Sequence, residues 1–292
     1  MELTKETGVK QPTVLERLFS SLSGLGKLKR NKASLVSVGI LLVFIILALF
    51  PNIIVPYHPE TMFMVRQSPS SKHWFGTDTL GRDVFSNVIW GVRTTFYIGT
   101  ACVLIELVIG FLMGGLAGYF GGWIDDLLMR ITDIILALPT LIVLILAVSM
   151  FKVRSINIII LVMGLIGWPY MARVIRSQFL SIKTTPYVDA ARAMGAKTQR
   201  IMFRHIMPNI ILPIVVLITI HFAGYVLWEA SLTFLGLGDP NSMSWGVMIM
   251  SGKNVLRTCP WISTYPGLFL FFLLIALQLL GDGLRDIFDI RV

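Results

Sequence analysis

Apolar residues gather in six long windows, separated by polar stretches of unequal length. The windows cover approximately residues 34–55, 95–118, 127–150, 156–171, 210–229 and 265–281. A helix needs about 20 apolar residues to cross roughly 30 Å of hydrocarbon, so each window predicts one membrane-spanning helix, the fourth a short one. The expected fold is all-α and polytopic, with both termini on one side. Pro139, Pro169, Pro213 and Pro266 fall inside spans. Each removes a backbone donor and bends its helix, which is read here as setting helix shape. Gly110, Gly114, Gly115 and Gly118 recur along the second span. Small residues at this spacing let helix backbones approach closely, which predicts a packing face there, open to a partner subunit.

Composition agrees with the pattern. Of the 292 residues, 55% are hydrophobic and only 14% charged, and mean hydropathy is +0.77. A soluble domain carries about 25% charged residues. The net charge of +9 is read as a topology signal rather than as a nucleic-acid footprint. Seventeen of the 25 basic residues lie on one side, in the N-terminal arm, at Arg130, between the fourth and fifth spans, and at the C-terminus. Eight lie on the other. The positive-inside rule makes the first side cytoplasmic. The domain plan is a cytoplasmic arm over residues 1–33, with an amphipathic helix around 13–22 as one option, and a transmembrane domain over 34–292. No cleavable signal peptide is expected. Cys102 and Cys259 make no disulfide framework and are expected as free thiols, the second in a polar loop.

The segment between the fourth and fifth spans, about residues 172–209, is polar, basic and longer than a simple connection. Thr184-Thr185-Pro186 offers a capping hydroxyl and a proline to start a helix. Asp189 falls in its first turn, where a carboxylate suits the dipole. Ala190, Ala191 and Ala193 present little bulk to an approaching surface. Gly195 suits the left-handed end of a helix. A second basic helix then carries Arg200, Arg204 and His205, and Pro208-Asn209 is expected to break it before the membrane. From periodicity alone, this is either a rigid docking knob or a solvated loop serving topology only.

Asp189-Ala190-Ala191, Gly195, His205 and Pro208 together resemble the EAA loop of ABC importer permeases. The chain departs from that pattern with Asp189 for Glu, His205 for Ile and Met207 for Leu. Three other stretches resemble the oligopeptide, dipeptide and nickel branch. They are His73-Trp74-Phe75-Gly76-Thr77-Asp78-Thr79-Leu80-Gly81-Arg82-Asp83, the run from Glu229 to Gly238 followed by Ser244-Trp245-Gly246, and Gly281-Asp282-Gly283-Leu284-Arg285-Asp286. Within the branch the chain is similar to the C-type subunit. The resemblance implies a type I importer permease in the cell (inner) membrane. It implies partners too: a second related permease, two cytoplasmic ATPase subunits that use ATP and Mg, and an external substrate-binding protein. Di- or oligopeptides are the implied cargo, with nickel or an oligosaccharide as the alternative.

The outer His73–Asp83 stretch is expected to be a tight cap of local hydrogen bonds. Among ionisable residues at membrane depth, Arg130 and Asp133 stand one turn apart and are expected to pair, and Glu229 is expected near water. Glu106 falls mid-span without an evident partner. Such a residue is a functional hypothesis by default, so Glu106 is expected to face the translocation path or the partner permease. No enzyme signature is visible. There is no P-loop, no His-Glu-x-x-His and no cysteine cluster, so no catalytic residue, metal or cofactor is assigned to this chain. A self-sufficient secondary transporter is the alternative of another class. It would show inverted repeats and dense intramembrane charge, and neither is evident.

Overall fold

The computed structural model describes residues 32–288. The proposed helix around 13–22 and all but the end of the N-terminal arm lie outside the described residues. The elements are α1 (Lys32–Leu49), the short α2 (Pro51–Ile54), α3 (Val84–Phe120), α4 (Gly122–Leu136), α5 (Thr140–Ser149) and α6 (Ile156–Lys183). Then come α7 (Pro186–Ala193) and α8 (Thr198–Arg200), a π-helical turn (Ile201–Ile206) leading into α9 (Met207–Phe234), then α10 (Trp245–Lys253) and α11 (Trp261–Phe288). The described residues are helical apart from loops and two isolated bridges, Met62 with Arg82 and Thr77 with Asp83.

The central packing unit is α3 against α6. The Tyr97 hydroxyl donates to Asn157 at 2.9 Å, and the Cys102 thiol reaches the Ile160 carbonyl at 3.7 Å. Further along, Gly164 faces Ile105, Gly110 faces Met171, Gly114 faces the Ala172 backbone and Gly118 faces Phe179. Residue numbers rise together on both helices, so the two run parallel. A Cβ on Gly114 would fall on the Ala172 carbonyl, and one on Gly110 would stand 2.9 Å from the Met171 side chain. The glycine face is therefore required by contact within the chain, not by a partner subunit.

Two parallel spans need a return crossing between them. Only α4 and α5 together are long and apolar enough to supply it, and they are bent by 85° at their junction. The third span is thus two pieces rather than the continuous helix expected over 127–150. Pro139 has no N–H, and its ring disfavours helical geometry at Leu138. With this pair counted as one crossing, the described residues hold six helical segments long and apolar enough to span a membrane.

The fourth span also differs from its apolar window. Helix α6 runs on to Lys183, so the connecting loop begins near residue 184 rather than 172. The apolar window reports embedment in lipid, whereas the helix continues where its polar residues find partners. Arg173 Nη2 lies 2.5 Å from Asp133 Oδ1, and Arg176 binds Asp125 through both Nε and Nη2. Asp133 therefore pairs with Arg173 on α6, not with Arg130 as expected. Lys183 closes the end of α3, donating to the Gly118 carbonyl at 2.8 Å.

The helix α9 runs antiparallel to α3. At one end Trp245, beyond α9, donates to the Val88 carbonyl at 2.9 Å. At the other, Phe203 packs on Phe111 with ring centroids 5.9 Å apart. Helix α11 is antiparallel to α1, with Phe44 edge-on to Phe269 at 6.0 Å and Gly283 against Ser34. The two ends of the described chain therefore meet at the basic end of the bundle.

The core falls into three layers. The outer layer gathers Val84, Val88, Trp245, Ile262 and Leu273. The middle joins Ile98, Val103, Leu144, Met163 and Tyr225. The basic end holds Met171, Phe179, Val188, Ile206 and Leu217. Both cysteines are free and buried; Cys259, expected in a polar loop, is only 4% exposed.

Candidate functional site: a helical knob and a midplane polar cluster

The knob at the basic end is held from within. Val188 of α7 is buried against Ile201, Met202 and Ile206, with Ile175 and Phe179 of α6 beneath. Pro186 opens α7 at its first turn. The Thr185 hydroxyl, expected as a cap, donates instead to the Ile182 carbonyl at 2.6 Å and ties α7 to α6. Asp189 stands in the first turn and meets Arg192 at 2.9 Å in solvent. Gly195 has φ +80° and ends α7 as its sequence context predicts. The Ala196 N–H donates to the Ala191 carbonyl at 3.1 Å and the Gly195 N–H to the Arg192 carbonyl at 3.0 Å, the two bonds of a Schellman ending.

The outward face of the knob is made of Asp189, Ala190, Ala193 and Met194. Ala191 is 2% exposed, so it seals the knob from inside and does not present itself to an approaching surface as expected. Met194 is 81% exposed at the tip. Sequence reasoning passed over it, although a methionine just before a helix-ending glycine cannot fold back onto the helix face.

Pro208 does not break the second helix. It follows closely on the π turn Ile201–Ile206, at the first turn of α9. The preceding π turn absorbs the change of register, with the Met207 N–H reaching back to the Met202 carbonyl. His205 is half-buried, and its carbonyl accepts from Asn209 Nδ2 at 2.6 Å and from the Tyr187 hydroxyl at 3.5 Å. The result is one uninterrupted rod, Thr198–Phe234, of 37 residues.

That rod carries His221 at its centre. Its Nδ1 lies 2.5 Å from Glu106 Oε1, with side-chain exposures of 19% and 0%. Glu106 thus has a partner, on another helix, and its carboxyl does not itself reach the surface of the chain. The buried hydroxyl of Tyr225 lies beside the same carboxyl group, and neither it nor Oε2 completes a well-aligned hydrogen bond. Tyr170 of α6, 43% exposed, stacks at a tilt on His221 with ring centroids 5.3 Å apart. His221, Tyr170 and Tyr225 were not expected. The available signal was depth: Glu106 and His221 each stand at the middle of their apolar windows.

Glu229, expected near water, is 4% exposed and accepts from the Thr233 hydroxyl at 2.9 Å, beneath α10. The His73–Asp83 stretch forms the expected cap of local bonds. Asp78 accepts from the N–H groups of Leu80 and Arg82 at 2.7 and 2.9 Å. Asp83 caps α3 through the Ser86 N–H at 2.8 Å.

Comparison with known proteins matches this architecture. Residues 107–292 match the family model described as "Binding-protein-dependent transport system inner membrane component". Residues 25–70 match the "N-terminal TM domain of oligopeptide transport permease C". The chain is 37% identical over 266 residues to the dipeptide transport system permease protein of Alkalihalophilus pseudofirmus, covering 90% of this chain and 87% of that protein. The oligopeptide transport system permease protein of Bacillus subtilis matches with the same identity and the same coverage, 90% and 87%. The glutathione transport system permease protein of Pectobacterium atrosepticum is 36% identical, covering 85% of this chain and 83% of that protein. A chain of the MetNI methionine ABC transporter, in an inward-facing conformation, shares the fold with TM-score 0.57 at 20% identity, covering 69% of this chain and 96% of that one. By these matches the chain belongs to the family of binding-protein-dependent transport system inner membrane components, the membrane-spanning permeases of ABC importers.

Proposed function

We propose that this chain is the C-type permease half of an ATP-driven importer of di- or oligopeptides. The observation that carries the mechanism is the rod Thr198–Phe234, which joins the knob to the centre of the membrane without a hinge. Ile206 to His221 spans roughly 22 Å along a helix rising 1.5 Å per residue. The knob is fused to α6 at one side and to α9 at the other, so a force on α7 reaches both helices that flank Glu106. The basic end faces the cytoplasm, with both termini there. Two ATPase subunits, using ATP and Mg, engage this knob and its counterpart on a second related permease. Asp189, Ala190, Gly195 and Met194 form the contact. Ala191, His205 and Pro208 keep its shape. Closure of the ATPases rocks α6 and α9 and switches the path between outward and inward access, a coupling of two sites through a two-state element. An external binding protein delivers the solute. Peptides are favoured over nickel or an oligosaccharide because the similar permeases carry dipeptide, oligopeptide and glutathione names.

The test is co-purification from the native membrane, with ATPase activity measured with and without peptide and binding protein, for wild type, Gly195→Pro and Asp189→Arg. A second permease and an ATPase pair should accompany the wild type, and the two variants should release the ATPases or uncouple hydrolysis. A chain that purifies alone and moves solute without ATP would overturn the reading in favour of a secondary transporter. Stimulation by nickel or sugar in place of peptide would replace the cargo alone.

A further inference from the structure

We infer that His221 is a substrate-contacting residue of the path, hydrogen-bonding the main chain of the passing peptide through Nε2, and that Glu106 positions it. The inference rests on the importer reading above. It begins at the 2.5 Å contact between His221 Nδ1 and Glu106 Oε1. Nδ1 is spent on that contact whether it donates to the carboxyl or accepts from it. Nε2 is the ring nitrogen left over, a donor when it carries a proton and an acceptor when it does not. Glu106 therefore holds the ring with its far nitrogen turned away from the carboxyl.

That nitrogen makes no hydrogen bond among the described residues, and the imidazole is 19% exposed whereas Glu106 is sealed. A ring nitrogen held at membrane depth toward the edge of the chain needs a hydrogen-bond partner from outside it. Tyr170 lies beside the ring at 5.3 Å and 43% exposed, and extends the polar patch with a hydroxyl. The surroundings are apolar: Leu217 and Ile218 precede His221 by about a turn, and Val174 follows Tyr170 by one. Such a patch suits a peptide, whose main chain offers N–H groups and carbonyl oxygens whatever its side chains. A metal ion is disfavoured, because no group of three or more His, Cys, Asp or Glu suited to a metal occurs among the described residues.

The experiment uses the complete importer in proteoliposomes with its binding protein and a labelled tripeptide. Wild type is compared with His221→Leu, His221→Gln, Glu106→Gln and Tyr170→Phe, reading uptake and peptide-stimulated ATP hydrolysis separately. His221→Leu should lose about tenfold in uptake efficiency, the equivalent of ~1.4 kcal/mol, while the ATPases stay bound and hydrolysing. His221→Gln, which offers an amide N–H near the Nε2 position, should restore most of it. Glu106→Gln can still donate to Nδ1 and should lose less than threefold. Wild-type uptake in His221→Leu, or a loss in His221→Gln as deep as in His221→Leu, would overturn the inference and leave the importer reading standing. Absence of peptide-stimulated hydrolysis in the wild type would overturn that reading, and this inference with it. A C-terminally amidated tripeptide separates the terminal carboxylate from the rest of the main chain. If only wild type discriminates against it, the contact is the terminal carboxylate; if all variants treat it as they treat the free acid, the contact is an internal main-chain group.

Discussion

Two histidine–carboxylate pairs stand in this molecule, and they are built to different ends. In the outer cap, His73 Nδ1 meets Asp83 Oδ1 at 2.9 Å, with side-chain exposures of 6% and 1%. The other oxygen of Asp83 accepts both the backbone N–H and the hydroxyl of Ser86, at 2.8 and 2.7 Å. Both oxygens of Asp83 are used at home, and the carboxylate caps α3. At mid-membrane, His221 and Glu106 make one contact with each other, while Glu106 Oε2 and the nearby Tyr225 hydroxyl complete no well-aligned hydrogen bond. Buried polar atoms without partners are uncommon and call for an explanation. What separates the two pairs is access: His73 is sealed at 6% exposure, whereas His221, at 19%, can meet a group from outside the chain.

The largest effect should come from breaking the satisfied pair. Asp83→Ala removes a helix cap, worth ~1 kcal/mol. It also strands a buried imidazole, at about 1–3 kcal/mol. The detergent-solubilised complex should melt at a clearly lower temperature and yield less folded protein. Uptake per folded complex should stay near wild type. A normal melting temperature with failed uptake would mean that the outer pair belongs to the transport path after all.

Glu106→Leu should act the other way round. It deletes a carboxylate whose second oxygen is unsatisfied and leaves His221 with its partial exposure, so the stability cost should be about 1 kcal/mol, that of one buried hydrogen bond. Uptake should fall by more than the loss of folded protein explains, because the ring loses the contact that holds its far nitrogen in place. Thermal melting and uptake on the same preparation separate the two. A change in melting as large as that of Asp83→Ala, with uptake per folded complex unchanged, would reduce Glu106 to a structural residue.

The same contrast explains what could be read from the sequence. Six apolar windows correspond to six crossings, and Gly195, Asp83 and the cap around Gly76 and Gly81 follow from local chemistry that a single stretch of chain contains. The misread features depend on a second helix. Pro139 could be seen as a bend, but the 85° break follows from α3 and α6 lying parallel. Ala191 looked like an outward small residue, but in the folded chain it is 2% exposed. Asp133 had a sequence neighbour in Arg130 and found Arg173, 40 positions away. The contact between Glu106 and His221 spans 115 positions, and only their equal depth in the bilayer pointed to it.

The smallest expected effect on stability lies at the knob, and there it sharpens the comparison most. Asp189 and Arg192 are paired at 2.9 Å with side-chain exposures of 58% and 53%. An exposed pair of this kind contributes ~0–1 kcal/mol. Asp189→Asn should therefore leave the melting temperature of the isolated permease within error of wild type. It keeps the side-chain shape and removes the charge next to Ala190 and Met194, the outward face of α7. If that face engages the ATPases as proposed, peptide-stimulated hydrolysis should drop several-fold, and raising the ionic strength should weaken the wild-type complex toward the variant, since exposed charges are screened within about 8–10 Å. Met194→Ser in the same background should deepen the loss without touching stability. Hydrolysis and uptake unchanged in both variants would remove the outward face from the coupling contact. The transmitted force would then have to enter through the half-buried His205 and the π turn beneath it.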